Sequence, residues 1–148
     1  METKEFIEKF FESGNIAIIG ASENKQKFGC RILGELKKRG FNIYPVNPKK
    51  EFILGDKCFN SVKALPGYVE DALVVIPPVE ANKVAREVIS TGIKRLWFQQ
   101  GSESEEAINF CCQNNIDVIE KKCILMYAPP VKGFHKFHRG IWRIIGKL

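Results

Sequence analysis

The sequence predicts an α/β fold, a three-layer, doubly wound parallel sheet of about five strands in the order 3-2-1-4-5. Three observations predict it. Short apolar runs such as Ile16-Ala17-Ile18-Ile19 and Ala72-Leu73-Val74-Val75-Ile76 carry no polar interruption, the character of strands buried on both faces. Segments with helical apolar spacing stand between these runs, so strand and helix alternate. Parallel strands joined by right-handed crossovers then close most simply as a doubly wound sheet.

The elements follow in order. Residues 4–13 have Phe6, Ile7, Phe10 and Phe11 at helical spacing, and Gly14 stops the helix. The first strand, 16–19, leads into Gly20-Ala21-Ser22, a turn. The next helix places Ile32, Leu33 and Leu36 on one stripe and closes at Gly40. Residues 42–46 form a second strand that Pro45 confines to its end. Lys57-Cys58-Phe59 reads as a short third strand, with a helix near 61–64. The strand at 72–76 is stopped by Pro77-Pro78, and a helix over 79–91 turns Val84, Val88 and Ile89 inward. A strand at 95–98, a helix at 102–114 and a strand at 116–119 complete the series. The arrangement is of the Rossmann type.

One domain is expected, covering residues 1–127 with the helix at 1–13 packed on it, followed by a basic amphipathic tail, 128–148. The chain's 148 residues suffice for a real core. Hydrophobic residues are 45% and charged residues 27%, an ordinary globular balance. No apolar run approaches the ~20 residues of a membrane helix. The N-terminus lacks a basic segment followed by an apolar one, so a cytoplasmic protein is expected. Five cysteines without a Cys-x-x-Cys fit reduced thiols, and no metal site is expected. The formal charge of +6 suits an anionic partner without choosing between a phosphate ligand and nucleic acid.

Ligands of open parallel sheets bind beyond the carboxyl ends of the strands, where strand order reverses. Four loops therefore make the candidate site: Gly20-Ala21-Ser22, Asn47-Pro48-Lys49-Lys50, Pro77-Pro78 and Gln99-Gln100-Gly101. A dinucleotide fingerprint would place glycines at 20, 22 and 25. Those positions hold Gly20, Ser22 and Lys25. Where an acid would grip a ribose, Asn47 and the pair Lys49-Lys50 stand instead. A ligand with a phosphate near its adenosine is favoured over NAD, and both NADP and coenzyme A qualify.

Ile18-Ile19-Gly20-Ala21-Ser22, then Pro45-Val46-Asn47-Pro48, Leu54-Gly55 and Leu96-Trp97-Phe98-Gln99-Gln100-Gly101 resemble the stand-alone CoA-binding domain family. The same fold begins the succinyl-CoA synthetase α subunit and the ADP-forming acyl-CoA synthetases. The resemblance runs from about residue 14 to 125. It implies that coenzyme A or acyl-CoA lies across the strand ends. Gly20, Ala21 and Ser22, with the following helix, would receive the diphosphate. Val46, Asn47 and Pro48 would border the adenosine, with Lys49 or Lys50 near its phosphates. Ile76, Pro77 and Pro78 would wall the other side, and Gln100 and Gly101 would border the pantetheine arm. Lys25 and Lys27 are further phosphate partners on this reading, against a plain solvated role. The departure from the family is Phe98-Gln99-Gln100-Gly101, where many relatives place an aliphatic residue between the two polar ones.

The implied function is a carrier, sensor or regulatory module for coenzyme A. The alternative is an NADP- or acyl-CoA-dependent enzyme. The strand-end loops offer amides, lysines and a serine but no histidine or clear carboxylate pair, so no catalytic residue is assigned. The ligases also need a domain with a phosphorylated histidine, and the two histidines here, His135 and His138, lie in the tail. Binding is therefore implied and ligation is not. Cys123, where the family often has a cysteine, reads as a small hydrophobe; a mixed disulfide with coenzyme A is the sharper alternative. Of Cys111-Cys112, one is expected inward and one exposed. His135 and His138 share a helical face, but a third ligand is missing and basic neighbours oppose a cation. The tail's apolar stripe, Phe134, Phe137, Ile141, Ile144 and Ile145, suits docking on the core, on a second subunit or partner protein, or on a membrane surface. Nucleic acid is not expected, for want of a motif or stacking array.

Overall fold

The computed structural model describes residues 3–130. The expected basic tail, with His135 and His138, lies outside the described residues apart from its first three positions. The elements are α1 (Thr3–Glu12), β1 (Asn15–Ile19), α2 (Phe28–Lys38), β2 (Asn42–Val46), β3 (Phe52–Ile53), β4 (Asp56–Lys57), β5 (Asp71–Val74), α3 (Pro78–Val88), β6 (Arg95–Gln99), α4 (Glu105–Gln113) and β7 (Asp117–Lys122). Short 3-10 turns cover Val62–Ala64 and Ile124–Met126.

Five strands form one parallel sheet in the order β2-β1-β5-β6-β7. The expected order 3-2-1-4-5 holds, with Phe59 as the third strand and β7 added at the far edge. Phe59, which lies outside the named strands, makes one parallel bridge to Val46 at the end of β2. The segment before it differs in detail from the expected strand 57–59. Asp56–Lys57 pairs antiparallel with Phe52–Ile53, closed by Leu54 and Gly55 at φ 47° and 84°. Two consecutive positive φ values suit the twist of a two-residue hairpin turn.

Side chains alternate across the sheet, so each strand feeds both cores. Ile16, Ile18, Leu73, Trp97 and Ile119 face α1 and α2, against Phe10, Phe11, Ile32, Leu33 and Leu36. Ala17, Ile19, Ala72, Val74, Leu96 and Phe98 face α3 and α4, against Ala81, Ala85, Val88, Ala107 and Cys111. Two helices on each face make the three layers. Small residues on α3 and α4 let those helices lie close to the large strand residues beneath them.

At the amino ends of β5 and β6, Asp71 is fully buried and pairs with Arg95. Ser13 Oγ donates to its second oxygen at 3.4 Å. Burial pushes the Asp71 carboxyl up to about 6, while Arg95 opposes that shift. This pair pins β5 and β6 together at their amino ends. After β7, Arg39 Nη1 donates to the carbonyls of Leu125 at 3.0 Å and Ala128 at 2.8 Å. That grip ties the segment following the last strand to the end of α2.

On α4, Cys111 is fully buried and Cys112 is exposed. Burial, reinforced by Cys112, raises the Cys111 thiol to about 11. The thiolate is the reactive form, so iodoacetamide is expected to label Cys112 in the native protein and spare Cys111. Peptide mass mapping reads this directly, and labelling of Cys111 ahead of Cys112 would contradict the packing of α4. Among the described residues, no helix is long and apolar enough to cross a membrane.

Candidate functional site

The order of the sheet reverses between β1 and β5. β1 feeds β2 on one side, and the chain then returns to place β5 on the other. A cleft of about 840 Å³ opens at the carboxyl ends of these strands. All four candidate loops contribute to it.

The floor is the end of β1. Gly20 has φ 100°, and its N–H donates to the Val46 carbonyl at 3.2 Å. A Cβ at this position would stand 2.3 Å from the Val75 carbonyl oxygen and 2.7 Å from Ile76 Cγ2. Both backbone angle and space therefore require glycine. The chain does not enter α2 at once. Ser22 Oγ accepts from Asn24 N at 3.0 Å, Asn24 Oδ1 accepts from Gln26 N at 3.0 Å, and Lys27 N donates to the Asn24 carbonyl at 2.9 Å. Short side chains of this kind stabilise successive turns by bonding the backbone two residues on.

α2 then starts on top of Gly20. A Cβ at Gly29 would lie 2.4 Å from the Gly20 carbonyl oxygen. Gly29 thus has the close-packing role that a dinucleotide fingerprint gives its last glycine, at a longer spacing. The N-terminus of α2 has Lys27 as its flanking residue, no side-chain cap and no acid in its first turn. Helix starts leave N–H groups without intrahelical partners and carry partial positive charge. An anion is suited to this end. α4 is different, because Ser104 caps it and Glu105 and Glu106 occupy its first turn.

Asn47 has a structural part. Its Nδ2 donates to the Ala21 carbonyl at 3.0 Å, and its Oδ1 accepts from Lys49 N at 2.8 Å. Its own N–H donates to the Phe59 carbonyl at 2.9 Å. The side chain is a strut between the first and second loops. Gln99, the last residue of β6, is buried, and its Oε1 accepts from Ile124 N at 3.0 Å. The register of β6 and β7 shifts beyond Trp97, with Lys121 at φ 60°. That irregularity brings the chain after β7 within reach of Gln99. Gly101, at φ 96°, donates its N–H to Glu103 Oε2 at 2.6 Å.

Gly20, Ala21, Ser22, Lys27, Val46, Asn47, Pro48, Lys49, Ile76, Pro77, Gln100 and Gly101 line the cleft together. Lys25, Lys50, Pro78 and Cys123 fall outside its lining. Lys25 is exposed on the turns before α2. Lys50 Nζ stands 3.7 Å from Glu23 Oε2 and borders a neighbouring groove. Pro78 begins α3. Cys123 is half-buried at the start of the 3-10 turn after β7.

The cleft also uses residues outside the four candidate loops. Phe28 and Gly29 open α2, and Ser102 is buried beyond Gly101. Glu80, Lys83, Val84 and Glu87 form a wall from α3. Positions 80, 83, 84 and 87 share a helical face, and that periodicity was the available signal. Gly29 carried a weaker signal, since a fixed fingerprint spacing looks for it at position 25. Among the described residues no group of three His, Cys, Asp or Glu side chains is placed to hold a metal ion.

A family model described as a CoA binding domain matches residues 14–129. The acetate–CoA ligase (ADP-forming) of Methanocaldococcus jannaschii is 35% identical over 125 residues, covering 84% of this chain and 18% of that protein. The chain thus spans about a fifth of the length of the curated ligases it matches. The uncharacterized protein YneT of Bacillus subtilis is 29% identical over 123 residues, covering 83% of this chain and 89% of that one. The solved structure of a conserved hypothetical protein from Pyrococcus furiosus superposes with a TM-score of 0.73 at 41% identity, over 75% of this chain and 96% of that one.

Proposed function

The chain belongs to the CoA binding domain family, and from that premise we propose that it holds coenzyme A or an acyl-CoA across the strand ends, as a carrier, sensor or regulatory module. The observation that supports this most is the start of α2. It is uncapped, free of acids and seated on the Gly20 turn, with Lys27 and Lys49 on the same cleft. On this reading the diphosphate takes the N–H groups of the helix start and the turn. The pantetheine arm runs past Ile76 and Pro77 toward Gln100 and Gly101. Lys25, Lys50, Pro78 and Cys123 then serve from outside the cleft lining.

The test is a thermal shift series with coenzyme A, acetyl-CoA, NAD, NADP and a DNA oligomer. A ligand at a hundred times its Kd adds about 2.7 kcal/mol, which is about 5–10 °C for a domain of this size. Coenzyme A is expected to give that shift. Stabilisation by NADP with none from coenzyme A would refute the proposal. Lys27→Ala combined with Lys49→Ala is expected to weaken coenzyme A by about a hundredfold or more, since charge-assisted contacts are worth about 1.5–3 kcal/mol each.

A further inference from the structure

Lys27, Lys49 and Lys83 line the cleft, and they do not stand on the same side of it. Lys27 flanks the start of α2, and Lys49 follows β2. Lys83 belongs to α3, which covers the opposite face of the sheet from α2. The cleft therefore crosses the strand ends from the first two lysines to the third. On α3, Ala81, Ala85 and Val88 bury one stripe against the sheet. The adjoining stripe, with Glu80, Lys83, Val84 and Glu87, lines the cleft. Lys83 stands about 7.5 Å along the helix axis from Pro78, by the rise of an α-helix. Ile76 and Val84 give this side an apolar wall, half-buried over one core. Arg86 on the same helix is taken up by Glu106 at 3.3 Å and lies over the Phe110 ring. The Lys83 side chain is exposed and makes no ion pair or hydrogen bond among the described residues. Its amine is free to turn into the cleft.

We propose that Lys83 is a self-acylation site, taking the acyl group of an acyl-CoA held in the cleft. The inference rests on the coenzyme A reading, in which the pantetheine arm passes Ile76 and Pro77 and carries its sulfur to the α3 side. The Lys83 ammonium first gives one proton to water. The free amine then attacks the thioester carbonyl carbon, the N–C bond forms and the C–S bond breaks. The sulfur leaves with the electron pair and takes the amine's second proton. The products are an amide on Lys83 and coenzyme A, with no oxidant, reductant or further substrate consumed. Holding amine and thioester together raises the local thioester concentration to about millimolar or more. An amide is stable in neutral water, so the modified chain records acyl-CoA as distinct from coenzyme A.

The test incubates the full chain with submillimolar acetyl-CoA and maps acetylated lysines by peptide mass spectrometry, while isothermal titration measures coenzyme A binding in parallel. Lys121, whose side chain is 81% exposed, is the reference for unassisted chemistry. Lys83 is expected to be acetylated about tenfold or more faster than Lys121, and ahead of Lys27 and Lys49. Excess coenzyme A is expected to protect Lys83 and to leave Lys121 unchanged. Acetyl phosphate, an acyl donor without the coenzyme A moiety, is expected to label Lys83 and Lys121 alike. If coenzyme A binds but Lys83 reacts no faster than Lys121, or is not protected, the acylation site is overturned and the cleft reading stands. Earlier acetylation of Lys27 or Lys49 overturns it too, because the thioester then lies at the other end. An equal preference for Lys83 with acetyl phosphate also overturns it. If coenzyme A does not bind, the cleft reading fails and the acylation site falls with it.

Discussion

Gly20→Ala is expected to lower the melting temperature by about 10 °C or more and to abolish ligand binding in the protein that remains folded. Two costs combine. An L side chain at φ 100° is strained by about 1–3 kcal/mol. The new methyl would also meet the Val75 carbonyl at 2.3 Å and Ile76 Cγ2 at 2.7 Å. Neither neighbour gives way easily, because Val75 N is bonded to the Ile19 carbonyl at 2.8 Å. Overpacking of this kind adds a further ~1–3 kcal/mol. The turn and the start of α2 move together, because Gly29 rests on the Gly20 carbonyl. Gly14→Ala is the control. Gly14 has φ 76° with open space around its α-carbon, so only the conformational cost applies. Differential scanning calorimetry compares the two. Equal losses from both substitutions would mean that the close approach to β5 is unimportant.

Trp97→Ala is expected to cost about 3–5 kcal/mol, as large aromatic-to-alanine changes in a core do. Trp97 is fully buried at the centre of the α1–α2 core. Its ring lies 5.3 Å from Phe10, 5.6 Å from Phe11 and 5.9 Å from Tyr127. Its Nε1–H donates to the Lys122 carbonyl at 3.0 Å. The substitution therefore loosens α1 and the segment after β7 from the sheet at once. Urea unfolding measures the loss, and a change below about 1 kcal/mol would contradict the packing described. Phe98, the next residue, faces the opposite core. Trp97 does not line the cleft, so coenzyme A affinity per folded molecule is expected to hold.

Much of this architecture is readable from residue types and their spacing. The run Ile16-Ala17-Ile18-Ile19 has no polar residue, and only a strand covered on both faces makes that composition favourable. Such strands alternating with amphipathic helices leave few ways to close. The reversal of strand order then locates a site at Gly20, Asn47, Pro77 and Gln100 before any contact is known. The split of Cys111 and Cys112 between core and solvent follows from helical geometry alone. The resemblance to the CoA binding domain family came from the order of several short motifs, each of them weak by itself.

Tertiary structure decided the rest, because contacts between distant segments leave no mark at fixed spacing. Gly29 faces Gly20 only because Ser22 and Asn24 lengthen the intervening loop with turns of their own. Asn47 looks like a ligand contact in sequence, yet its amide is used between two loops that are 26 residues apart. Residues 57–59 read as one strand, but Lys57 belongs to a hairpin and Phe59 to the sheet edge. That division places Phe52 and Lys57 on one face beside the cleft. The sequence determined a doubly wound sheet with a phosphate-suited end, since burial and periodicity are local properties. The boundary of the ligand site depended on which loops meet across the strand ends, and only packing of the whole chain decides that.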